Sequence, residues 1–574
     1  MSKRSPFNRL SMRIMGERSS SLDLARGRIA LVAVLFSMAY IVVAARLVDV
    51  TLIRGVPDQQ EEESLKKSEA SESKAEMRRA DVVDRNGILL ATSLKTASLY
   101  ADPKLVVDPV AAARDLNKIF PDLPYGDLLK KLQSEKRFVW IKRNLTPEEQ
   151  KEILEIGEPG LVFDYDYRRI YPQGPLTSHM VGYADVDGRG LGGVERSFNK
   201  LLSTHEDPLR LTLDVRLQHI LRREIQKAIT DFTGKAGAGI IMDSRSGEIL
   251  AAVSLPDFDP HSPNAKPDDP QMFNRVTLGV YELGSTFKVF TTAALLDRKK
   301  MPMSATFDAS KPLQIGRYTI HDYHGLNKVL TVPETFMVSS NIGTARMAET
   351  IGTEGLKKFF GELGLMSKPE FEIDEVGGPI VPNPWRESNT LTAAFGHGIA
   401  VTPLQLVSAF SAIVNGGVII KPKLVKKEDS LVEQEDAVRV VSKETSLKMR
   451  QLLRLVVSDG TAKKANIPGY MVGGKTGTAD KNLGGRYDHN RRISAFVGAF
   501  PINDPHYTIF IMVDEPHPNK QSYGYATAGW VAAPAVGRVI SSMGPLLNME
   551  PQPLDTPDIC EPLRQFISKE AEEH

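Results

Sequence analysis

The stretch Gly469–Asp480, GYMVGGKTGTAD, decides how this chain is read. Gly469, Gly474, Lys475 and Thr476 satisfy G-x-x-x-x-G-K-[ST], the spacing of a phosphate-binding loop. That loop works only where a strand ends before its first glycine and a helix begins at the Lys-Thr, so that helical N–H groups meet the phosphate. Here Tyr470, Met471, Val472 and Gly473 read as strand rather than as a small polar loop. After Thr476 come Gly477, Thr478, Ala479 and Asp480, then Gly484-Gly485, and such sequence does not start a helix. The pattern predicts a strand over 470–478 and a lysine that meets something other than a nucleotide.

Further strands lie on either side. RISAFVGAF (Arg492–Phe500) and YTIFIMVD (Tyr507–Asp514) are apolar runs joined by Asn503-Asp504-Pro505. Far upstream, AGAGIIMDSRSGEILAAVS holds two more around Ser246-Gly247, a hairpin. These make five strands, with long helical sequence between the hairpin and the last three. LTLDVRLQHILRREIQKAI places Leu217, Ile220, Leu221, Ala228 and Ile229 on one helical face. AGWVAAPAVGRVISSM reads as a helix packing back on the sheet.

Two other short boxes complete a pattern with Lys475-Thr476-Gly477. In YELGSTFKVFTTAALL, Gly284 permits a tight entry, Ser285 opens a helix, and Lys288 follows on the same face. A serine hydroxyl attacks only when a base takes its proton, and a lysine is such a base only when burial or a nearby cation lowers its pKa. The apolar Phe287, Val289 and Phe290 would bury this helix. In VSSNIGTA stand Ser339, Ser340 and Asn341. Each box alone reads equally well as a helix cap or a turn. In the order S-x-x-K, S-x-N, K-T-G they form the signature of penicillin-binding proteins and serine β-lactamases.

The 574 residues carry a net charge of +1, which argues against bulk nucleic-acid binding. A lone Cys560 excludes an intramolecular disulfide and a cysteine-rich metal site. His321-x-x-His324 fits a surface or substrate-cleft role better than a metal pair. The uncharged run Ile29–Ala45, extended by Leu47-Val48, is long enough for a membrane span. Lys3, Arg4, Arg9, Arg13, Arg18, Arg26 and Arg28 precede it, and Asp49, Asp58 and Glu61-Glu62-Glu63 follow. The positive-inside rule puts the tail in the cytoplasm and the rest outside. The run is too long for a typical signal-peptide core and lacks a convincing cleavage site, so an uncleaved anchor is expected.

Beyond the three boxes, VVDRNGILLAT (Val82–Thr92), RRIYPQGPLTSHMVGYADVDGRGLGGVERSFNKLL (Arg168–Leu201), MDSRSGEILAAVSLPDFDP, FGHGIAVTPLQL (Phe395–Leu406) and IPGYMVGGKTGTA are similar to the class B penicillin-binding proteins. The resemblance covers roughly residues 25 to 545. The compact segment from His179 to Glu195 resembles the division-specific, FtsI-type branch. Ala80, where the family has glycine, and Leu283, where proline is common, depart from the pattern without touching reacting groups. The resemblance implies a membrane-anchored α+β protein: a single transmembrane helix, a mixed α/β pedestal and a transpeptidase domain with a five-stranded antiparallel sheet flanked by helices. The expected division is a cytoplasmic tail (1–28), transmembrane helix (29–48), juxtamembrane spacer (49–79), pedestal for dimerisation or interaction (80–205), transpeptidase domain (206–545) and a C-terminal tail (546–574), whose polar last stretch, Asp555 to His574, reads as loose or peripheral.

The resemblance also implies roles. Ser285 would attack the carbonyl between the last two D-alanines of a peptidoglycan stem peptide, with Lys288 as general base. Ser339 would relay a proton to the leaving amine, and Asn341 would hold Lys288 and the substrate amide. Lys475 would supply positive potential, Thr476 and Thr478 would bind the substrate carboxylate, and Gly477 would keep the strand edge clear for the substrate backbone. The N–H groups of Ser285 and Thr478 would form the oxyanion hole. No metal or cofactor is implied. Implied partners are stem peptides, β-lactams, an FtsW-type glycan polymerase and other division proteins, at the septum of the inner membrane with the catalytic domain in the periplasm.

Rival readings are an elongation-type relative, a membrane-anchored β-lactamase or β-lactam sensor, and a largely non-catalytic division scaffold. The long pedestal is unexpected for the second, and three intact boxes count against the third. The pedestal is short and shows no glycosyltransferase signature, which disfavours a bifunctional synthase. Leu283-Gly284-Ser285-Thr286-Phe287 lacks the G-x-S-x-G of an α/β-hydrolase.

Overall fold

A computed structural model describes residues 21–48, 78–263, 266, 269–316, 318–426, 437–484, 486–553 and 555–572. Two units separate within the chain, residues 1–77 and 78–574. In the first, the helix Ser21–Val48 carries an apolar stretch, Arg28–Arg46, with mean hydropathy 2.2. At about 1.5 Å of rise per residue it is about 28 Å long, close to the thickness of a bilayer's hydrocarbon core. Most of the expected cytoplasmic tail (1–20) and juxtamembrane spacer (49–77) lie outside the described residues.

The second unit is organised around the expected five-stranded antiparallel sheet. Its order is Gly473–Leu483, Arg486–Phe500, Tyr507–Asp514, Ala236–Asp243, Ile249–Leu255. The central strands are apolar at successive positions because helices cover both faces of the sheet. Ala236–Asp243 is buried from Ala236 to Met242. Helices Val215–Asp231 and Ala532–Leu546 pack on each other and on the sheet, as do Pro403–Val414 and Lys443–Ser458.

The strand carrying Lys475 differs from the expected 470–478. It begins at Gly473 and runs to Leu483, paired as a long hairpin with Arg486–Phe500 through a bulge at Asp480/Lys481. Tyr470 is instead buried ahead of it, its ring edge-on to Phe500 at 6.2 Å between centroids. No helix begins at Thr476, so the phosphate-loop geometry is absent from this stretch.

The pedestal sheet holds Val82–Val83, Leu89–Ala101, Val139–Leu145, Leu161–Ile170 and Leu209–Arg210. The helix Pro147–Ile156 starts in a capping box, Thr146 Oγ1 accepting from Glu149 N and Glu149 Oε2 accepting from Thr146 N. Around Leu99, Leu116, Phe120 and Leu132 a small apolar core closes on itself. Val82, Leu90, Met180 and Val194 join the large core that continues under the catalytic sheet. At the junction, Glu195 is fully buried between Arg79 (2.6 Å) and Arg169 (2.7 Å). Such a pair is costly to bury and far costlier to break, so it ties the segment at 79 to the strand at 169.

The C-terminal segment is not loose. Cys560, Leu563 and Ala571 are buried, and Asp558 pairs with Arg454 at 2.6 Å. Thr331 Oγ1 donates to the Phe566 carbonyl, and Ser568 donates to Glu334 through its N–H (3.0 Å) and hydroxyl (2.6 Å). Ile559, Phe566 and Ile567 pack against the same core, and the ion pair and hydrogen bonds dock the polar residues between them.

Candidate active site

The three boxes meet at one cleft of about 600 Å³. Ser285, Ser339, Asn341, Thr476 and Thr478 line it, and Lys288 and Lys475 lie beneath, both 0% exposed. Ser285 sits in a single 3₁₀ turn, Gly284–Phe287, that leads into the α-helix Lys288–Arg298. In a 3₁₀ turn residues three apart eclipse, so Ser285 and Lys288 share a face. Gly284 has φ +53°, and a Cβ there would lie 2.9 Å from the Thr478 carbonyl oxygen. Both its left-handed backbone and its contact with the neighbouring strand require glycine.

Ser339 also adopts a left-handed conformation, φ +61°, a strain on the order of 1 kcal/mol or more for a residue with a side chain. It sits between the helix Val332–Met337 and the helix Asn341–Ile351. Its hydroxyl oxygen lies 3.1 Å from Lys288 Nζ and 2.9 Å from Lys475 Nζ. Lys288 Nζ also donates to the Ser339 carbonyl and, at 2.8 Å, to Asn341 Oδ1. Asn341 Nδ2 donates to the His321 carbonyl at 3.0 Å, which fixes the orientation of its amide.

Two ammonium groups cannot both stay charged in so dry a place. Burial drives Lys288 well below its ordinary value, the neighbouring Lys475 drives it further, and Asp322 opposes them. Burial lowers Lys475 to about 7. Burial and the neighbouring cation thus bias Lys288 toward the free amine a general base requires, while Lys475, lowered less far, is the better placed of the two to carry a proton.

Lys475, Thr476 and Thr478 lie on the outermost strand of the sheet. Thr476 Oγ1 is 2.8 Å from Thr461 Oγ1, and Thr478 Oγ1 accepts the Ala528 N–H at 3.1 Å. Gly477 corrects the sequence reading. Its missing side chain makes room not for a ligand but for the protein itself, since a Cβ would lie 2.3 Å from the Leu283 carbonyl oxygen.

All eight predicted site residues belong to this one region. The sequence reading missed Asp322, whose carboxylate accepts from Ser340 and from the N–H groups of Asn341 and Ile342. It stands inside His321-x-x-His324, and His324 does line the cleft. Also missed were His397, within the quoted FGHG, and Trp530, which stacks on Tyr525 and lies 3.7 Å beneath Lys464 Nζ. Among the described residues no group of three His, Cys, Asp or Glu is arranged to hold a metal ion.

Comparison with known proteins agrees with this geometry. The family model for the penicillin binding protein transpeptidase domain matches residues 237–537, and that for the penicillin-binding protein dimerisation domain matches 74–227. The chain is 40% identical over 485 residues to a protein of Caulobacter vibrioides named probable peptidoglycan D,D-transpeptidase FtsI, covering 82% of each. It is 28% identical to the peptidoglycan D,D-transpeptidase FtsI of Escherichia coli, covering 84% of this chain and 85% of that one. Penicillin binding protein 3 of Mycobacterium tuberculosis, solved with ampicillin, shares the fold at TM-score 0.67 and 24% identity, covering 84% of this chain and 98% of that one. A serine, two buried lysines and an asparagine converge in a domain that this family model matches, behind a matching dimerisation domain: the chain belongs to the penicillin-binding protein transpeptidase family, as a class B, FtsI-type member.

Proposed function

We propose that the chain crosslinks peptidoglycan stem peptides during septal wall synthesis through a serine acyl-enzyme, and that β-lactams acylate the same serine. The observation that carries this is the convergence of Lys288 and Lys475 on Ser339 Oγ, in the cleft that Ser285 lines. Lys288, uncharged, takes the Ser285 hydroxyl proton while Oγ attacks the carbonyl between the last two D-alanines. The oxyanion is met by the N–H groups of Ser285 and Thr478. The C–N bond then breaks, the leaving amine takes a proton through Ser339 from Lys288, and D-alanine departs. An amine of a neighbouring stem peptide attacks the ester, forms the crosslink and frees Ser285.

Asn341 holds the base through its Oδ1. Lys475 draws the terminal carboxylate of the substrate. Because Thr478 Oγ1 already accepts from Ala528, its hydroxyl proton is free to donate to that carboxylate, and Thr476 contributes alongside. Residues 206–545 act as the transpeptidase domain and 80–205 as the pedestal that meets an FtsW-type polymerase and other division proteins. The exposed apolar helix anchors the chain in the inner membrane, with the catalytic domain in the periplasm, as the basic residues ahead of it favour. Full-length protein supplied with stem pentapeptide and an acceptor amine should release one D-alanine per crosslink formed. D-alanine release without crosslink, or turnover of β-lactam as the faster reaction, would contradict this function.

A further inference from the structure

We propose that Asp322 is a positioning residue of the transpeptidation centre: its carboxylate locks the Ser339–Asn341 turn in the backbone arrangement that presents the Ser339 hydroxyl to both lysines. The inference rests on the acyl-enzyme reading above. Asp322 belongs to the loop after the strand Tyr318–Ile320 and reaches the S-x-N turn across space. Oδ1 accepts the N–H groups of Asn341 (2.5 Å) and Ile342 (3.0 Å), two of the donors left unpaired where the helix Asn341–Ile351 begins. Oδ2 accepts the Ser340 hydroxyl at 2.7 Å, while Ser340 Oγ caps the helix by accepting the Gly343 N–H at 2.9 Å. Ser340 N donates to the Thr335 carbonyl, so the turn is pinned to the preceding helix as well.

Between these fixed points stands Ser339 at φ +61°, a conformation that persists only where its surroundings over-determine it. The same loop acts on the side chain beyond: the carbonyl of His321 orients the Asn341 amide that holds Lys288. One short segment thus sets the proton relay and the base together. Charge adds a second effect. Lys288 is acted on by Lys475 and by Asp322, while His397 feels Asp480 and, more weakly, Lys288. Of the charged groups that act on Lys288, Asp322 is the anion, and it keeps the amine more basic than burial and Lys475 together would allow; Asp480, a carboxylate that lines the cleft, acts on His397. A cap with no catalytic consequence would lack this effect.

The test uses full-length protein in detergent, acylated by a fluorescent penicillin across its pH profile, with unfolding midpoints measured beside it. Asp322→Asn keeps the shape and one acceptor but loses the charge. It should acylate at least about tenfold more slowly, the scale of one weakened charge-assisted contact. Its acidic limb should move to lower pH, because the base loses the anion that held its proton, while the basic limb set by Lys475 stays. Ser340→Ala keeps the charge and removes one contact, so it should slow acylation with the acidic limb unmoved. Acylation of Asp322→Asn at the wild-type rate, or slowed with both limbs in place, overturns the inference. Wild-type acylation in Ser340→Ala overturns the positioning role even if Asp322→Asn does not fold. Absence of acylation in the wild type would instead strike the acyl-enzyme reading.

Discussion

Lys288 and Lys475, from distant parts of the chain, share one hydroxyl: Ser339 Oγ lies 3.1 Å from Lys288 Nζ and 2.9 Å from Lys475 Nζ. Their burial makes the arrangement expensive, and the proposed chemistry gives each a use: Lys288 as a base biased toward its neutral form, Lys475 as the cation that draws the substrate carboxylate.

Lys475→Met follows directly. Losing one preorganised electrostatic contact should slow acylation on the order of a hundredfold. Stability should move the other way. With a folded pKa of about 7 and an ordinary value of 10.5, the unfolded chain holds a proton between these limits that the folded chain lacks. The destabilisation is complete below pH 7 and fades as pH rises toward 10.5. The variant should therefore gain stability over the wild type by an amount that is larger below neutrality than above it, on the order of a few kcal/mol. Urea midpoints on either side of neutrality read this. An equal effect at both would refute the assigned ionisation.

Gly477→Ala should damage both fold and function. The added methyl meets the Leu283 carbonyl, and relief requires moving the Leu283-Gly284-Ser285 entry or the strand. Overpacking of this kind costs about 1–3 kcal/mol, and acylation should fall with the displaced serine. Wild-type acylation in this variant would show that the close approach is dispensable.

Deleting residues 555–574 should destabilise the remaining protein by at least about 2 kcal/mol, because Glu334 loses Ser568, Arg454 loses its carboxylate partner Asp558, and buried apolar contacts open. A denaturant titration that leaves the midpoint in place would restore the loose tail that the polar sequence suggested.

These examples mark what was legible in the sequence. The apolar strands at Ala236–Asp243 and Tyr507–Asp514 announce themselves because both faces are buried. The extension of the Lys475 strand through Asp480 to Leu483 does not, because that half of the hairpin is polar on both strands and leaves no periodic signal. Ser285, Lys288, Ser339, Asn341 and Lys475 could be found because their chemistry is written in short spacings. Asp322 could not, since its meaning comes from a contact with Ser340 made across a loop. The docking of Leu563 and Ala571 was hidden likewise, in a segment too polar to suggest burial.

The central claim is that Ser285 is the acylated nucleophile. Intact-mass spectrometry of the full-length protein after exposure to benzylpenicillin, followed by peptide mapping, tests it most directly. The account predicts one long-lived adduct, mapped to Ser285 and missing from Ser285→Ala. An adduct that survives this substitution, or maps to another residue, would contradict it, as would an unmodified protein that has consumed the drug.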